Sequence, residues 1–366
     1  MSINRKKVKV LFIQEFIPAY RIPLFKGLSD AYDITIAFSK NCCDDRNLLK
    51  TINISFPTVR EWKEMSMSEF ESITNEIIEL VTNYDVTVIP LVPHRKSLCF
   101  IDRVRHHSKV IVWGIGVAGS YDIRYDSVQY TSPSFESIIS MSDAAIFYSD
   151  YPVKKYLKHG LPAWKMFVAN NTVDVIKYDI NNSKKDSIIF VGSLLRQKRI
   201  DLLLDAYQKA CVEIPDLFPL KIIGEGDEYT TIKDWIRENN MEERILLLGA
   251  IYDEERISKE YLSAYLSVSS DQAGLSVLKS MGYGVPFAAH VNSITGGEIF
   301  NIDNGETGIV FENYDDLKDV IIDVYENPRK YLIMGNKAYE YYYSCRTMDD
   351  YIREFSNALD YVIGGS

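Results

Sequence analysis

Residues 269–286, SSDQAGLSVLKSMGYGVP, decide the fold of this chain. The apolar run Ala264–Val268 before them predicts a short buried strand. Within the stretch, leucines and a methionine recur at helical spacing until two glycines and Pro286 end the helix. The pattern is therefore strand, turn, helix, and it places Asp271 in the turn.

A turn of this kind favours particular ligands. The first backbone N–H groups of a helix have no partner within the helix and carry a partial positive charge, which suits a phosphate. A carboxylate such as Asp271 accepts hydrogen bonds from neutral hydroxyl groups, which suits a sugar. Phosphate and polyol together indicate a nucleotide sugar as ligand.

The same stretch resembles the signature of retaining GT-B glycosyltransferases of family four, the glycosyl transferases of group 1. That signature is Glu-x-Phe-Gly-Leu, three further residues, then Glu-Ala-Met-x-x-Gly-x-Pro. The residues in register are Asp271, Gly274, Leu275, Met281, Gly284 and Pro286. Asp271 replaces the first glutamate, and Lys279 replaces the second, which the family places on the donor ribose. Because Lys279 departs from the pattern, Lys279→Glu is expected to be tolerated and to preserve or raise transfer.

Strand and helix patterns alternate along the whole chain, which predicts an α/β protein with parallel sheets. The resemblance implies a GT-B fold, in which two Rossmann-like domains face each other across a cleft. We expect an N-terminal acceptor-side domain over 1–170, a nucleotide-sugar domain over 171–346 and a helix over 347–366 that packs back on the first domain. The polar segment Lys177–Asp186 is the predicted linker.

Composition limits the class of protein. The chain has 366 residues, of which 46% are hydrophobic and 25% charged, as in ordinary globular proteins. Residues 1–170 contain 21 Lys and Arg against 18 Asp and Glu, whereas the remainder carries a strong acidic excess. The five cysteines show neither CxxC nor Cys/His spacing, so neither a disulfide framework nor a zinc site is expected. No apolar run reaches the length of a membrane span, and a cytoplasmic protein is expected.

The first half contains the expected acceptor side. A dinucleotide fold needs GxGxxG after its first strand, and the sequence has none there. In the resembling family the loop after the first strand faces donor and acceptor, which makes Glu15, Tyr20 and Arg21 cleft candidates. Trp113 and Gly114, at the end of a later strand, are expected on the same acceptor side. Ile115 occupies the position where similar transferases often have a histidine. Ser68-Glu69-Phe70-Glu71 predicts a capping box.

The segment His94–Lys109 mixes cations with apolar residues. Two interpretations stay open for it. An amphipathic helix of this type binds anionic lipid, which implies peripheral contact with a membrane. More often such a helix packs on its sheet and exposes a basic face.

The second half contains the expected donor site. Residues 192–206 resemble the family's Gly-Arg-Leu-x-x-x-Lys-Gly motif, in which Lys198 matches the lysine, Ser193 replaces the arginine, and Arg196 or Arg199 supplies its charge. The implied diphosphate-binding residues are Ser193, Arg196, Lys198, Gly274, Leu275 and Ser276. The implied sugar-binding residues are Asp271, Gln272, Ala273 and Gly274. The implied nucleoside-binding residues are Gly224, Ile251, Tyr252 and Lys279. His290 is expected to be packed.

The resemblance implies transfer of a hexose or similar sugar from a UDP- or GDP-linked donor to a saccharide or lipid-linked acceptor, in bacterial surface polysaccharide synthesis. Lys198 and Asp271 are the expected catalytic residues. The sequence lacks Asp-x-Asp, so no obligatory metal and no other cofactor is expected, and no nucleic acid partner is indicated. The departures at Ser193, Ile115 and Lys279 leave a noncatalytic protein that regulates a partner transferase as the alternative. A nucleotide-sugar epimerase fits the order of motifs less well.

Overall fold

The computed structural model describes residues 7–39, 49–56, 61, 64–119, 123–127, 133–181 and 183–365. Two compact units can be distinguished within it. The first unit comprises Met1–Ala118, Val128–Asn171 and Met348–Ser366. The second comprises Gly119–Ser127 and Thr172–Thr347. Each unit has its own sheet and its own hydrophobic core.

The first unit is built on a parallel sheet of seven described strands. Their order across the sheet is β3-β2-β1-β4-β5-β6-β7. Central strands are buried on both faces, which explains their nearly continuous apolar sequence. The strands are β1 Lys9–Gln14, β2 Asp33–Phe38, β3 Thr51–Asn53, β4 Val86–Pro90, β5 Lys109–Gly114, β6 Ala144–Phe147 and β7 Met166–Val168.

Helices cover both faces of this sheet. They are α1 Ile22–Ala31, α2 Met67–Val81, α3 Arg95–Val104, α4 Pro133–Met141, α5 Tyr151–Lys158 and, at the end of the chain, α12 Met348–Gly364. Gly27 on α1 lies directly against Ile352 on α12, so these two helices pack closely. The Asn170 backbone N–H donates to the Glu354 carboxylate at 2.7 Å, a second link between α12 and this unit.

The capping box of α2 lies two residues before the predicted one. The Ser66 hydroxyl accepts from the Glu69 N–H at 3.2 Å, and the Glu69 carboxylate accepts from the Ser66 N–H at 2.8 Å. The prediction from Ser68 was wrong because Ser66 and Ser68 each have a glutamate three residues later, Glu69 and Glu71, so the sequence pattern fits either serine.

The second unit contains a parallel sheet of six described strands in the order β10-β9-β8-β11-β12-β13. The strands are β8 Ser187–Val191, β9 Leu220–Ile223, β10 Ile245–Gly249, β11 Ala264–Ser269, β12 Phe287–His290 and β13 Gly308–Phe311. The helices are α6 Ile200–Glu213, α7 Tyr229–Glu238, α8 Glu254–Leu262, α9 Ser276–Gly282, α10 Asp316–Glu326 and α11 Pro328–Cys345. The predicted strand, turn and helix around Asp271 are thus β11, a loop and α9.

The fold class predicted from the sequence is confirmed: the chain is an α/β protein with two Rossmann-like parallel sheets. In the described ranges no helix is long and apolar enough to cross a membrane. The same ranges contain no group of three or more His, Cys, Asp or Glu side chains that could hold a metal ion. Cys99, Cys211 and Cys345 are free thiols.

Candidate functional site

The predicted donor residues lie along one edge of the second sheet. Lys198 follows β8, Gly224 follows β9, Tyr252 follows β10 and Asp271 follows β11. Because all these strands are parallel, their carboxyl ends meet at the same edge, where ligands of open α/β sheets bind. The fold therefore brings together residues that are far apart in sequence.

Lys198 is a nearly buried cation at this edge. Its side chain is only 8% exposed, and a Cβ atom built on Gly192 would lie 3.5 Å from its Nζ atom. Burial lowers the pKa of Lys198 to about 8, while the nearby Glu298 carboxylate acts in the opposite direction. Among the described residues none accepts a hydrogen bond from Nζ. A buried ammonium without such a partner is costly, and an anionic ligand would compensate it.

The arginines predicted to bind the diphosphate are either paired with an acid or exposed. Arg199 has a left-handed backbone, with φ of 48°, and donates from its Nη2 atom to Asp201 at 2.9 Å. Arg196 and Ser193 are exposed. Both arginines line a cavity of 490 Å³ next to Trp235 on α7. Lys198 is thus the cation that the fold itself buries at the strand ends.

Gly224 has a packing role that the sequence does not show. Its φ of 155° favours glycine, and a Cβ atom at this position would lie 1.8 Å from the Gly192 carbonyl oxygen. Gly226 likewise approaches the Leu194 carbonyl, where a Cβ atom would lie 2.4 Å from the oxygen. The loop after β9 is therefore packed backbone to backbone on the loop that leads to Lys198.

Asp271 is held by two side chains that the sequence prediction did not include. The Arg124 guanidinium donates to both carboxylate oxygens, at 2.8 Å to Oδ1 and 3.2 Å to Oδ2. The Tyr314 hydroxyl donates to Oδ1 at 2.8 Å. Arg124 also donates to the backbone carbonyl of Asn292. A carboxylate has about four acceptor positions, of which these contacts use three. One position therefore remains on Oδ2.

The residues after Asp271 differ in hydrogen bonding and exposure. The Ala273 N–H donates to the Ile294 carbonyl at 2.9 Å, so a neighbouring loop already uses it. The buried side-chain oxygen Oε1 of Gln272 has no partner among the described residues. Gly274, Leu275 and Ser276 are partly exposed. Gln272 therefore has a buried oxygen without a described partner, whereas the Ala273 amide is already hydrogen-bonded.

His290 is packed, as expected. Its ring stacks on Tyr314 with 4.2 Å between the ring centroids. Its Nδ1 atom accepts from the Asn292 N–H at 3.2 Å, and its Nε2 atom lies 2.9 Å from the Glu312 carbonyl. A carbonyl oxygen only accepts, so Nε2 is the donor and Nδ1 the acceptor, and both ring nitrogens are used. His290 supports Tyr314 and has no nitrogen left for a substrate.

Lys279 is paired with an acid from another helix. Its Nζ atom donates to the Glu254 carboxylate at 2.9 Å, and the Tyr283 hydroxyl donates to the same carboxylate. Burial and that carboxylate raise the pKa of Tyr283 above its usual range. Glu254 begins α8, just after the exit of β10. A carboxylate is therefore present beside position 279, although the sequence has lysine there.

The spacing of Ser276, Lys279 and Ser280 in the sequence predicts that they share an open face of α9. This prediction is wrong for Ser280, which is fully buried and whose hydroxyl donates to the Val285 carbonyl at 2.8 Å. The reason is local: the chain turns back through Gly284 immediately after α9 and presents that carbonyl to Ser280.

The contact with Glu254 changes the expected effect of Lys279→Glu. Two carboxylates would meet where an ion pair now stands. Because both side chains are partly exposed, we expect a loss of stability of about 1–2 kcal/mol, between the values for surface and buried pairs. Thermal unfolding measures it. The double variant Lys279→Glu/Glu254→Lys restores opposite charges and should recover most of the loss. Equal stability of the single variant and the parent would contradict the pairing.

At the exit of β10, Tyr252 is 88% exposed and Ile251 is partly buried. The Gly224 N–H donates to the Gly249 carbonyl at 2.9 Å, which fixes this exit next to that of β9. The nucleoside role of Tyr252 stays a prediction.

The acceptor-side candidates lie at the corresponding edge of the first sheet. Arg21 directly precedes α1 and donates to the Gln14 side chain at 2.8 Å and to the Tyr148 hydroxyl at 2.6 Å. Its guanidinium carbon lies 4.4 Å from the centroid of the buried Trp113 ring. Gly114 ends β5, and a Cβ atom there would lie 3.1 Å from that of Leu91. Glu15 and Tyr20 are partly exposed on the intervening loop.

The basic segment around α3 is packed on its sheet. Phe100, Ile101 and Val104 are buried in the core. Arg103 pairs with Glu71 at 2.6 Å, and Lys109 lies 3.4 Å from Asp143. The second interpretation, a packed helix with a basic face, therefore describes this segment better than a lipid-binding helix.

Sequence reasoning missed three residues of this site: Arg124, Glu254 and Tyr314. Tyr314 comes just after β13 and Glu254 just after the exit of β10, so the strand-end rule that selected Asp271 also applies to them. Arg124 lies on no predicted strand end, and the sequence contains no signal for its contact with Asp271.

Known proteins resemble this chain in sequence and in fold. Residues 175–341 match the model of the family described as glycosyl transferases group 1. This match confirms the resemblance seen in the sequence. Together with the two Rossmann-like sheets, it indicates a GT-B fold whose second unit is similar in sequence to group 1 glycosyl transferases.

Individual relatives are distant. The uncharacterized glycosyltransferase MJ1178 of Methanocaldococcus jannaschii is 26% identical over 64% of this chain, and the alignment spans 61% of that protein. N-acetyl-alpha-D-glucosaminyl L-malate synthase of Bacillus anthracis is 28% identical over 46% of this chain and 43% of its own length. The crystal structure of Anabaena Alr3699/HepE in complex with UDP has a TM-score of 0.71 at 13% identity, covering 97% of this chain and 99% of that one. The last likeness shows the fold.

Proposed function

We propose that the protein is a glycosyltransferase that moves a sugar from a nucleotide diphosphate donor to a saccharide or lipid-linked saccharide acceptor, with retention of configuration. The observation that carries the proposal is the buried ammonium of Lys198, which lacks a hydrogen-bonded acceptor among the described residues and lies at the strand ends. A role in surface polysaccharide synthesis follows from the family resemblance. UDP is the nucleotide to test first, because the Anabaena neighbour was crystallised with it.

Lys198 would act on the leaving group. Cleavage of the bond between sugar and phosphate concentrates negative charge on the departing diphosphate oxygens. A preorganised cation in a site shielded from water stabilises that charge more in the transition state than in the ground state. An oxygen of the departing phosphate would accept the proton of the acceptor hydroxyl. Diphosphate neutralisation is thus assigned to side chains and not to an obligatory metal.

Asp271 would hold the donor sugar. Its one remaining acceptor position, on Oδ2, fits one sugar hydroxyl. Arg124 and Tyr314 fix the carboxylate, so a hydroxyl would meet an acceptor that is already oriented. Gln272 offers a second polar atom, the side-chain oxygen without a partner.

Glu254 and Lys279 would face the nucleoside. The resemblance places a ribose-binding carboxylate at position 279, and here the carboxylate beside that position belongs to Glu254. One ammonium and one carboxylate together donate to and accept from ribose hydroxyls. The replacement of glutamate by Lys279 is therefore compatible with nucleotide binding.

A noncatalytic protein of the same fold is the second candidate. The observation that favours it is the bidentate contact of Arg124 with Asp271, which occupies most of the carboxylate that a donor sugar would use. Such a protein would bind a nucleotide or a partner without transferring sugar.

Asp271→Asn separates the two candidates. The amide keeps the shape but loses the charge opposite Arg124, so we expect UDP affinity to change less than about threefold while transfer from a UDP-sugar falls about 10²-fold or more. Asp216→Asn, at an exposed acid beyond α6, is the matched control and should behave like the parent. The readouts are UDP calorimetry and product formation.

Two outcomes would contradict the assignment. An equal loss of UDP binding and transfer would move Asp271 from the sugar to the nucleotide or to folding. Binding of UDP by the parent without any transfer, to water or to an acceptor, would favour the noncatalytic candidate.

A further inference from the structure

Arg21 in the first unit is a cation with neutral partners only. Its Nη1 atom donates to the Gln14 side-chain oxygen, and its Nη2 atom donates to the Tyr148 hydroxyl. In the part of the chain that the structure describes, Arg21 forms no ion pair with a carboxylate. Arginine keeps its proton in proteins, so the positive charge is present at every accessible pH.

Buried neighbours hold the Arg21 guanidinium in a fixed position. The guanidinium lies 4.4 Å from the centroid of the Trp113 ring, which supports it by a cation–π contact. Gln14 and Trp113 are buried, so the two groups that fix the guanidinium are themselves fixed. Its Nε atom is buried and has no described partner. The charge is therefore partly withdrawn from water and left without a compensating anion, which is unfavourable unless a ligand supplies one.

The position also fits a ligand site. Gln14 ends β1, Trp113 lies near the end of β5, and Tyr148 follows β6. These parallel strands end at one edge of the first sheet, where open α/β sheets bind ligands. Since the Tyr148 hydroxyl accepts from Arg21, its own proton is directed away from the guanidinium. Arg21 and Tyr148 thus present adjacent donors.

The geometry points to an oxyanion site in the first unit, in which Arg21 and Tyr148 bind a phosphate or carboxylate group of the acceptor. This inference rests on the proposed function, because only a transferase has an acceptor, and it specifies an acceptor that carries a negative charge. A planar guanidinium binds two oxygens of such a group at once, which a neutral saccharide does not offer. The group belongs either to a free anionic sugar or to a lipid-linked sugar phosphate.

Binding to the Lys198→Ala protein tests the site, because that variant lacks the ammonium of the proposed donor site. The probes are glucose 1-phosphate, glucuronate, neutral methyl glucoside, and vesicles with and without polyprenyl phosphate, followed by calorimetry and vesicle sedimentation. We expect saturable binding of at least one anionic probe and none of methyl glucoside. Adding Arg21→Gln should weaken that binding about tenfold or more. Binding of glucose 1-phosphate or glucuronate indicates a free anionic acceptor. Binding only to vesicles that contain polyprenyl phosphate indicates a lipid-linked acceptor.

Thermal unfolding of each variant checks that the variant is folded. If Arg21→Gln does not fold, Tyr148→Phe is used instead, because it removes the Tyr148 hydroxyl that donates to the anion and contacts the guanidinium. This variant should weaken the binding of the same anionic probes. Anion binding that is unchanged by these variants, equal binding of methyl glucoside, or binding of none of the probes overturns the inference. Failure of the parent to bind UDP, with anion binding intact, instead removes the proposed donor function and leaves the oxyanion site standing.

Discussion

Replacing Lys198 with Ala is expected to slow sugar transfer about 10²–10³-fold, the usual loss when one group that stabilises developing charge is removed. UDP affinity should fall about tenfold or more, because a charge-assisted hydrogen bond to the diphosphate is lost. The fold should remain, since the ammonium has no hydrogen-bonded acceptor among the described residues and its burial is itself unfavourable. Steady-state kinetics and calorimetry measure the two effects.

Lys209→Ala is the matched control for this variant. Lys209 is an exposed lysine of α6 that pairs with Asp205 at 2.7 Å, one helical turn away. Its removal takes the same charge from the same unit without touching the strand ends. Equal effects of the two variants would mean that Lys198 contributes only to the overall charge.

Replacing Gly224 with Ala is expected to destabilise the second unit by about 3 kcal/mol or more, which lowers Tm by roughly 6–12 °C. The added Cβ atom would lie 1.8 Å from the Gly192 carbonyl oxygen, and a backbone atom cannot move aside as a flexible side chain can. The loop that leads to Lys198 would be displaced, so UDP binding should be lost together with stability. Thermal unfolding with and without UDP measures both.

Gly249→Ala provides the comparison. Gly249 also has a positive φ, of 70°, but a Cβ atom there meets nothing within 4 Å. Its substitution should cost only the left-handed backbone conformation, about 1–2 kcal/mol. If Gly224→Ala is as mild as Gly249→Ala, the close packing of the two loops is not a determinant of stability.

Much of this fold could be predicted because its signals are local. The residues that form β11, the loop with Asp271 and α9 follow each other directly in the sequence, so periodicity and glycine placement were sufficient to find them. The lysine of the 192–206 motif could be placed for the same reason. The capping box was assigned to the wrong serine, because Ser66 and Ser68 lie two residues apart and each has a glutamate three residues later.

The partners of the site residues could not be predicted, because they lie far away in the chain. Asp271 meets Arg124, 147 residues before it, and Tyr314, 43 residues after it. Lys279 meets Glu254, 25 residues earlier. A sequence pattern shows the charge of each residue but not which opposite charge the fold brings to it. For this reason Lys279 looked like a defect of the motif, although it is one half of an ion pair.

UDP calorimetry at about pH 7 and about pH 9 tests the central claim, that the buried Lys198 ammonium binds the donor diphosphate. The pKa of Lys198 is about 8, and a bound diphosphate favours the protonated form. UDP affinity should therefore fall about fivefold or more as the pH rises through this value. Stability should change in the opposite direction. Lysine has the higher pKa in the unfolded chain, so the unfolded chain binds more protons than the folded one between about pH 8 and 10.4. The contribution of Lys198 to stability therefore rises with pH in this range. The account predicts that Lys198→Ala loses this pH dependence of UDP affinity. The same fall in the parent and in Lys198→Ala, or no binding of UDP at either pH, would contradict it.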